Sequence, residues 1–198
     1  MKKIIIAVVL IVAVFFLTRF NNKKAIPVVP NIQIGWQAFE NKDKDFGILY
    51  PTGFLVNEST DGGFYSELDL YTLSIKAPDN YQQGTDLNVA TVIVSVSDTT
   101  SKCFSSNSTD MDMTETKSIN GKVFNYNPKQ PFDDNAMGGQ RGTSSIFSTV
   151  ENAKCYRIQK LIGYRDLRGF AEPPYPPHFD EVDANKTLEG IIGSFKFL

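Results

Sequence analysis

Residues 144–163 read SSIFSTVENAKCYRIQKLIG and have the pattern of one long β-hairpin. Two arms rich in β-branched and aromatic residues flank the turn pair Glu151-Asn152. Polar and apolar side chains alternate along the second arm, beginning with Cys155 and Tyr156, as they do when successive residues point to opposite faces of a sheet. The stretch therefore predicts a long antiparallel hairpin within a sheet.

Other segments on both sides of this hairpin also have strand character. Residues 89–97 alternate apolar and polar, which predicts a half-buried strand. Asn120-Gly121 is a tight-turn pair before a strand at 122–126. Further strands are expected at 46–50, 54–56 and 68–75. The body of the chain is therefore predicted to be mostly β.

The end of the chain changes period. Leu188, Ile191, Ile192 and Phe195 stand at positions i, i+3, i+4 and i+7, which is the apolar stripe of a helix. Aspartates at 180 and 183 are candidate start signals, and residues 195–198 are expected to form a last strand. The predicted fold class is α+β, a mostly antiparallel sheet with flanking helices that include this C-terminal one.

The beginning of the chain, residues 1–24, predicts targeting to a membrane. An apolar run at 4–17 lies between basic residues on both sides. The run is short for a bilayer, which favours a cleaved signal peptide, but no pair of small residues marks a cleavage site. We therefore expect a retained signal anchor, a membrane helix reaching residue 20, with a secreted form after cleavage as the alternative.

The rest of the chain suits one acidic domain. Residues 25–35 contain two prolines and are predicted to be a linker, and residues 36–198 a single extracytoplasmic α+β domain. Residues 31–198 contain 15 Lys and Arg against 22 Asp and Glu, a net charge of −7. Nucleic acid is therefore not an expected partner, because such a surface repels a phosphate backbone.

Cys103 and Cys155 are the only cysteines of the chain. An even count in an exported domain predicts a disulfide between them. A metal or thiol-redox pair is disfavoured, because the spacing is not Cys-x-x-Cys and the chain has one histidine, His178.

Two end motifs carry a resemblance to a known family. The opening Phe46-Gly-Ile-Leu-Tyr-Pro-Thr-Gly-Phe54 and the closing Gly190-Ile-Ile-Gly-Ser-Phe-Lys-Phe197 resemble the first strand pair and the terminal helix-strand of PsbP-like domains. They are also similar to the ends of small exported bacterial proteins of unknown function. The resemblance implies an antiparallel sheet flanked by helices and action by protein binding instead of catalysis. The photosystem role is not carried over, since nothing in the sequence indicates a photosynthetic partner.

Catalytic signatures are missing from the sequence. It has no Gly-x-Ser-x-Gly elbow and no Ser-x-x-Lys pair. We predict no catalytic, cofactor-binding or metal-binding residue. A pair of facing carboxylates, which is all that a glycoside hydrolase needs, stays open because the chain has 22 acids.

Residues 164–179 form the candidate binding surface. Four prolines surround Tyr175 and favour an extended conformation that loses little entropy on binding, and His178 follows them beside acidic residues. The candidate binding residues are Tyr164, Arg165, Arg168, Phe170, Tyr175 and His178.

The predicted function is that of a membrane-tethered, extracytoplasmic binding or accessory protein without enzymatic activity. Its partner is expected to be a protein or another component of the cell envelope. Two alternatives stay open, a cell-envelope hydrolase that uses paired carboxylates and a carrier of an apolar ligand.

Overall fold

The predicted hairpin forms the centre of a seven-stranded antiparallel sheet in the computed structural model. The structure describes residues 35–60, 71–100, 103–104, 113, 115–134, 140–166 and 174–198. The strands are β1 (Trp36–Asn41), β2 (Phe46–Pro51), β3 (Leu55–Ser59), β4 (Tyr71–Lys76), β5 (Leu87–Ser97), β6 (Glu115–Ile119), β7 (Lys122–Asp134), β8 (Gln140–Glu151), β9 (Lys154–Arg165) and β10 (Lys196–Phe197). The one helix of the described residues is α1 (Glu181–Gly193).

The large sheet has the strand order β3-β4-β5-β9-β8-β7-β6, and all of its pairs are antiparallel. The hairpin β8–β9 is confirmed and is longer than predicted, with Glu151 opposite Lys154. Its turn residues Asn152 and Ala153 both have positive φ, the backbone that a two-residue hairpin turn requires. The hairpin thus supplies two of the three central strands, and β5 pairs with its second arm.

A second sheet of three strands has the order β1-β2-β10. Residues 46–56 were expected to continue one strand across a turn, but β2 pairs with β1 and β10 while β3 pairs with β4 in the large sheet. Gly53 has φ +93°, so the turn at 52–53 bends the chain out of one sheet and into the other. The turn is therefore a crossover between sheets.

The C-terminal helix is confirmed. The side chain of Asp180 caps α1 by accepting a hydrogen bond from the Asp183 amide at 3.0 Å, and acids in the first turn suit the helix dipole. Its buried side chains are Ala184, Leu188, Ile191 and Ile192. They pack against β2, β5 and β9, so the helix covers the junction of the two sheets.

Aromatic side chains fill the space beside this helix. The rings of Phe46 and Phe195 stack at 5.6 Å, and the ring edge of Tyr156 meets Phe197 at 4.9 Å. The hydroxyl of Tyr156 donates to the backbone oxygen of Lys44, and burial raises the pKa of this phenol to about 12. Aromatic packing of this kind binds the small sheet to the large one.

The polar side of β5 differs from the sequence prediction. Alternation predicted a strand with one exposed face, yet Thr91, Ser95 and Ser97 are each less than a tenth exposed. On the same side, Cys155 of β9 is bonded to Cys103, whose side chain is completely buried. The predicted disulfide is confirmed.

The predicted fold class needs correction. The described residues contain one helix, so the expectation of flanking helices was wrong, and the fold is a mostly antiparallel β structure with one short C-terminal helix. In the described ranges outside α1, most apolar residues lie in strands, so their pattern has the period of a strand and not that of a helix. The predicted N-terminal membrane helix lies outside the described residues, and within them no helix has both the length and the apolar character needed to cross a bilayer.

Candidate functional site

The structure brings four of the six predicted surface residues together at one end of the large sheet. Tyr164 and Arg165 end β9, while Tyr175 and His178 lie in the extended segment 174–180 that leads into α1. These four residues line one concavity. Arg168 and Phe170 lie outside the described residues.

Asp86, which the sequence analysis missed, holds this region together. Its carboxylate accepts a hydrogen bond from the Phe179 amide at 3.0 Å and lies 2.8 Å from His178 Nδ1. Its own amide donates to Pro177 O at 3.0 Å, and its carbonyl accepts from the Arg165 amide at 2.9 Å. Asp86 thereby joins the β4–β5 connection, the segment before α1 and the end of β9.

A second set of contacts ties the same connection to the start of α1. The Asp180 amide donates to Gln82 Oε1 at 2.6 Å, and Gln82 Nε2 donates to Asp180 O at 3.0 Å. The hydroxyl of Tyr81 donates to the Asp183 carboxylate at 2.9 Å. Burial raises the pKa of Tyr81, so the phenol stays protonated and keeps donating. Hydrogen bonds therefore join the β4–β5 connection and the start of α1 into one unit.

His178 is held between two carboxylates. Its Nδ1 lies 2.8 Å from Asp86 Oδ2, its Nε2 lies 3.2 Å from Glu181 Oε1, and the edge of its ring contacts Tyr164 with centroids 5.0 Å apart. A neutral imidazole has one N–H and can donate to one carboxylate, whereas the imidazolium donates to both. The hydrogen bond with Asp86 is the main cause that raises the pKa of His178 above its usual 6.5, and Glu181 adds to it.

This arrangement predicts that the domain is more stable in mild acid than in base. The unfolded histidine titrates near 6.5 and the folded one higher, so the stabilisation is fully present below pH 6.5 and is lost as the pH rises through the folded pKa. The effect should be modest, because the side chain is 47% exposed and solvent screens the pair. Urea unfolding at several pH values between about 5.5 and 8.5 measures it.

The titration of His178 can be measured directly by NMR. His178 is the only histidine of the chain, so one imidazole resonance reports the folded pKa directly. The variant His178→Gln should lose this part of the pH dependence, and Asp86→Asn should lower the measured pKa. A wild-type pKa at or below 6.5 would contradict the arrangement.

Two neighbouring concavities meet at this unit. One, of about 340 Å³, lies along the β4–β5 connection, and the other, of about 370 Å³, lies between the end of β9 and the prolyl segment. Asp86, Arg165 and Pro176 line both. Tyr175 lines the second and is 41% exposed. Aromatic and prolyl walls with a few charged groups are typical of a binding surface.

The described residues contain no cluster of three or more His, Cys, Asp and Glu side chains that could hold a metal ion. The carboxylates of Asp86 and Glu181 both face His178. The two hydrogen-bond contacts of the His178 ring join it to carboxylates, not to a hydroxyl group that could serve as the nucleophile of a triad.

No known protein family and no curated protein matches the sequence. Solved structures do align with the fold. A crystal structure of a protein from Bacteroides thetaiotaomicron aligns with a TM-score of 0.48 and 15% identity, covering 82% of this chain and 48% of the other. The chain therefore spans about half the length of that protein. The solution structure of cyanobacterial PsbP (CyanoP) from Synechocystis sp. aligns with a TM-score of 0.42 and 12% identity, covering 82% of this chain and 92% of PsbP.

These comparisons concern the fold alone. A PsbP structure is among those that align, and the resemblance of the end motifs to that family stays a prediction. Identities of 12% and 15% with TM-scores below 0.5 transfer no activity, ligand or partner to this chain.

Proposed function

We propose that this chain is an exported, non-enzymatic binding or accessory domain that recognises a protein or another envelope component. The surface that would do this is the site surface, defined here as Tyr164, Arg165, Tyr175, Pro176 and His178. One observation carries the proposal. Two concavities lie side by side at the hydrogen-bonded region around Asp86, and tyrosine and proline side chains are among the residues that line them. A surface already fixed in shape loses little conformational entropy when a partner binds.

Two features support an extracytoplasmic location. Residues 1–24 have the composition of an export signal. The buried bond between Cys103 and Cys155 suits an oxidising compartment, where such bonds persist.

No specific observation favours the two alternatives. A carboxylate hydrolase needs two acids that face a substrate and a water, whereas Asp86 and Glu181 are both engaged with His178. An apolar carrier needs an internal cavity of a few hundred cubic ångströms, on the order of 300 Å³. The aromatic packing of Phe46, Phe195 and Tyr156 occupies the space where the helix covers the sheets.

We expect Tyr175→Ala to reduce capture of the partner strongly. Exposed aromatic residues at the centre of a contact commonly contribute most of its affinity, so capture from native envelopes by cross-linking should fall by about tenfold or more. The folding cost should be small because Tyr175 is 41% exposed. The wild-type and variant chains would be expressed in the native envelope, cross-linked and compared at equal amounts.

Trp36→Ala is the matched control. Trp36 is an aromatic residue of similar exposure, 49%, on β1 and outside the site surface, so its loss should leave capture unchanged. Equal capture by wild type and Tyr175→Ala, or hydrolysis of envelope glycans by the pure protein, would overturn the proposal.

A further inference from the structure

We infer that the site surface receives a single carboxylate of a protein partner at Arg165, with the neighbouring part of the partner packed on Tyr175 and Pro176. This inference rests on the function proposed above and names the chemistry of its ligand. The charged groups that line the two concavities differ in whether they have a partner within the protein.

The acids of the concavities already have partners. Asp86 is bonded to His178 and to the Phe179 amide. Asp166 forms an ion pair with Arg141 at 2.8 Å, and Asp79 forms one with Lys76 at 3.3 Å. Each of these carboxylates therefore has at least one partner within the protein.

Arg165 is the exception. Its guanidinium is exposed, lines both concavities, and has no ion pair or side-chain hydrogen bond within the described part of the chain. Its backbone is fixed, because the Arg165 amide donates to Asp86 O at 2.9 Å. A cation with unused donors at a fixed position calls for an acceptor, and a planar guanidinium matches a carboxylate with two parallel hydrogen bonds.

The local charge agrees with this although the whole domain is acidic. Among the described residues, the charged groups of the concavities and their partners are Lys76, Arg141 and Arg165 against Asp79, Asp86, Asp166 and Glu181. Their sum is −1 with His178 neutral and zero with it protonated, in a domain whose net charge is −7. At physiological salt, charges more than about 8 Å apart are screened, so Arg165 acts mainly on what lies next to it. A polyanion extends beyond that range and meets the repulsion of other acids of the domain, whereas a single carboxylate meets mostly Arg165.

The walls of the concavity favour a peptide as the bearer of that carboxylate. Tyr175 and Pro176 line the second concavity together with Arg165 and offer a ring and a prolyl face there. Such faces pack well against an aromatic or prolyl side chain. An acidic side chain or a terminal carboxylate next to an aromatic residue combines both requirements.

The test uses the full-length protein in mild detergent and three small probes. N-acetyltyrosine carries an aromatic ring and a carboxylate, N-acetyltyrosinamide is its neutral counterpart, and phenyl phosphate supplies the phosphate. Guanidinium resonances of the arginines, followed by NMR during titration, report binding at Arg165. We expect N-acetyltyrosine to shift the Arg165 resonance and the amide to leave it unchanged.

Variants at Arg165 complete the test. Arg165→Gln should weaken N-acetyltyrosine binding by about tenfold or more, the size of a charge-assisted bond, and Arg165→Lys should recover part of it because an ammonium lacks the planar fork. Lys186→Gln removes one positive charge from the exposed face of α1 and should have no effect. Equal binding of acid and amide, tighter binding of phenyl phosphate, or no effect of Arg165→Gln would overturn the inference.

Capture from envelopes separates this inference from the proposed function. If Tyr175→Ala loses the partner while Arg165→Gln retains it, the surface binds a partner without a carboxylate at Arg165 and the inference fails alone. If neither variant loses the partner, the proposed function fails as well.

Discussion

Replacing Gly142 by alanine is expected to destabilise the domain by about 3 kcal/mol, at the upper end of the usual cost of overpacking. Gly142 lies in β8 directly opposite Gly163 of β9, and Phe132 of β7 pairs with it from the other side. A Cβ atom at Gly142 would stand 2.5 Å from Phe132 Cζ and within van der Waals overlap of the Ile162 carbonyl oxygen. That oxygen belongs to the backbone of a central strand and cannot move aside without displacing its neighbours.

The neighbouring glycines serve as graded controls. At Gly163 an added Cβ would meet Val89 Cγ1 at 2.8 Å and Phe132 Cζ at 3.3 Å, and both are side-chain atoms that can yield. Gly163→Ala should therefore cost less than Gly142→Ala. At Gly193 of α1 nothing lies within 4 Å, so alanine there should be neutral or slightly stabilising. Urea unfolding followed by circular dichroism measures all three, and equal losses at Gly142 and Gly193 would refute the packing argument.

The glycine pair also explains why the site surface lies where it does. Tyr164 and Arg165 follow Gly163 directly, so the register of β8 on β9 determines where both side chains emerge. Phe132 covers the two glycines and takes the space that their missing side chains leave. A shift of the strands at Gly142 would therefore displace the binding residues as well as reduce stability.

Local signals explain which parts of the fold could be predicted. The β8–β9 hairpin, the turn at Asn120-Gly121 and helix α1 are specified by nearby residues through periodicity, turn geometry and capping, and all three are confirmed. The disulfide followed from a count of two cysteines in an export context. None of these predictions needed knowledge of contacts between distant segments.

The parts that escaped prediction depend on such distant contacts. The division into two sheets depends on the pairing of β2 with β10. These two strands are neighbours in the sheet but lie near opposite ends of the domain's sequence. Pro131 and Gly142 are residue types that local propensity disfavours in strands, yet both lie in paired strands, with Pro131 opposite Thr143 and Gly142 opposite Phe132. Pairing with a neighbouring strand overrode local propensity there.

The candidate site shows the same limit. Residues 164–179 were selected because of their prolines, aromatic residues and single histidine, and four of the selected residues meet in the structure. Asp86 was missed because its partner His178 lies 92 positions away, and no local pattern around Asp86 indicates that contact. A polar residue in a long connection has a recognisable role only once the fold places something opposite it.

Loss of the disulfide is expected to cost about 4 kcal/mol, because reduction releases a loop of 52 residues in the unfolded chain. Cys103 is completely buried and Cys155 nearly so, so the bond is held inside the domain and should resist mild reductants while the chain is folded. On the chain-entropy account the effect resides in the unfolded state, whose conformational freedom the bond restricts. The folded sheet should keep its circular dichroism spectrum after reduction.

Urea unfolding of the oxidised protein, the reduced protein and the double variant Cys103→Ala with Cys155→Ala separates the contributions. The oxidised and reduced proteins differ in the bond itself, whereas the reduced protein and the double variant differ in the packing of two buried sulfur atoms. Because the reduced unfolded chain exposes more surface, its m-value should also rise. Adding reductant to the double variant should change nothing. If oxidised and reduced proteins unfold within about 1 kcal/mol of each other, the chain-entropy account is wrong for this domain, since a loop of this length should contribute several times that amount.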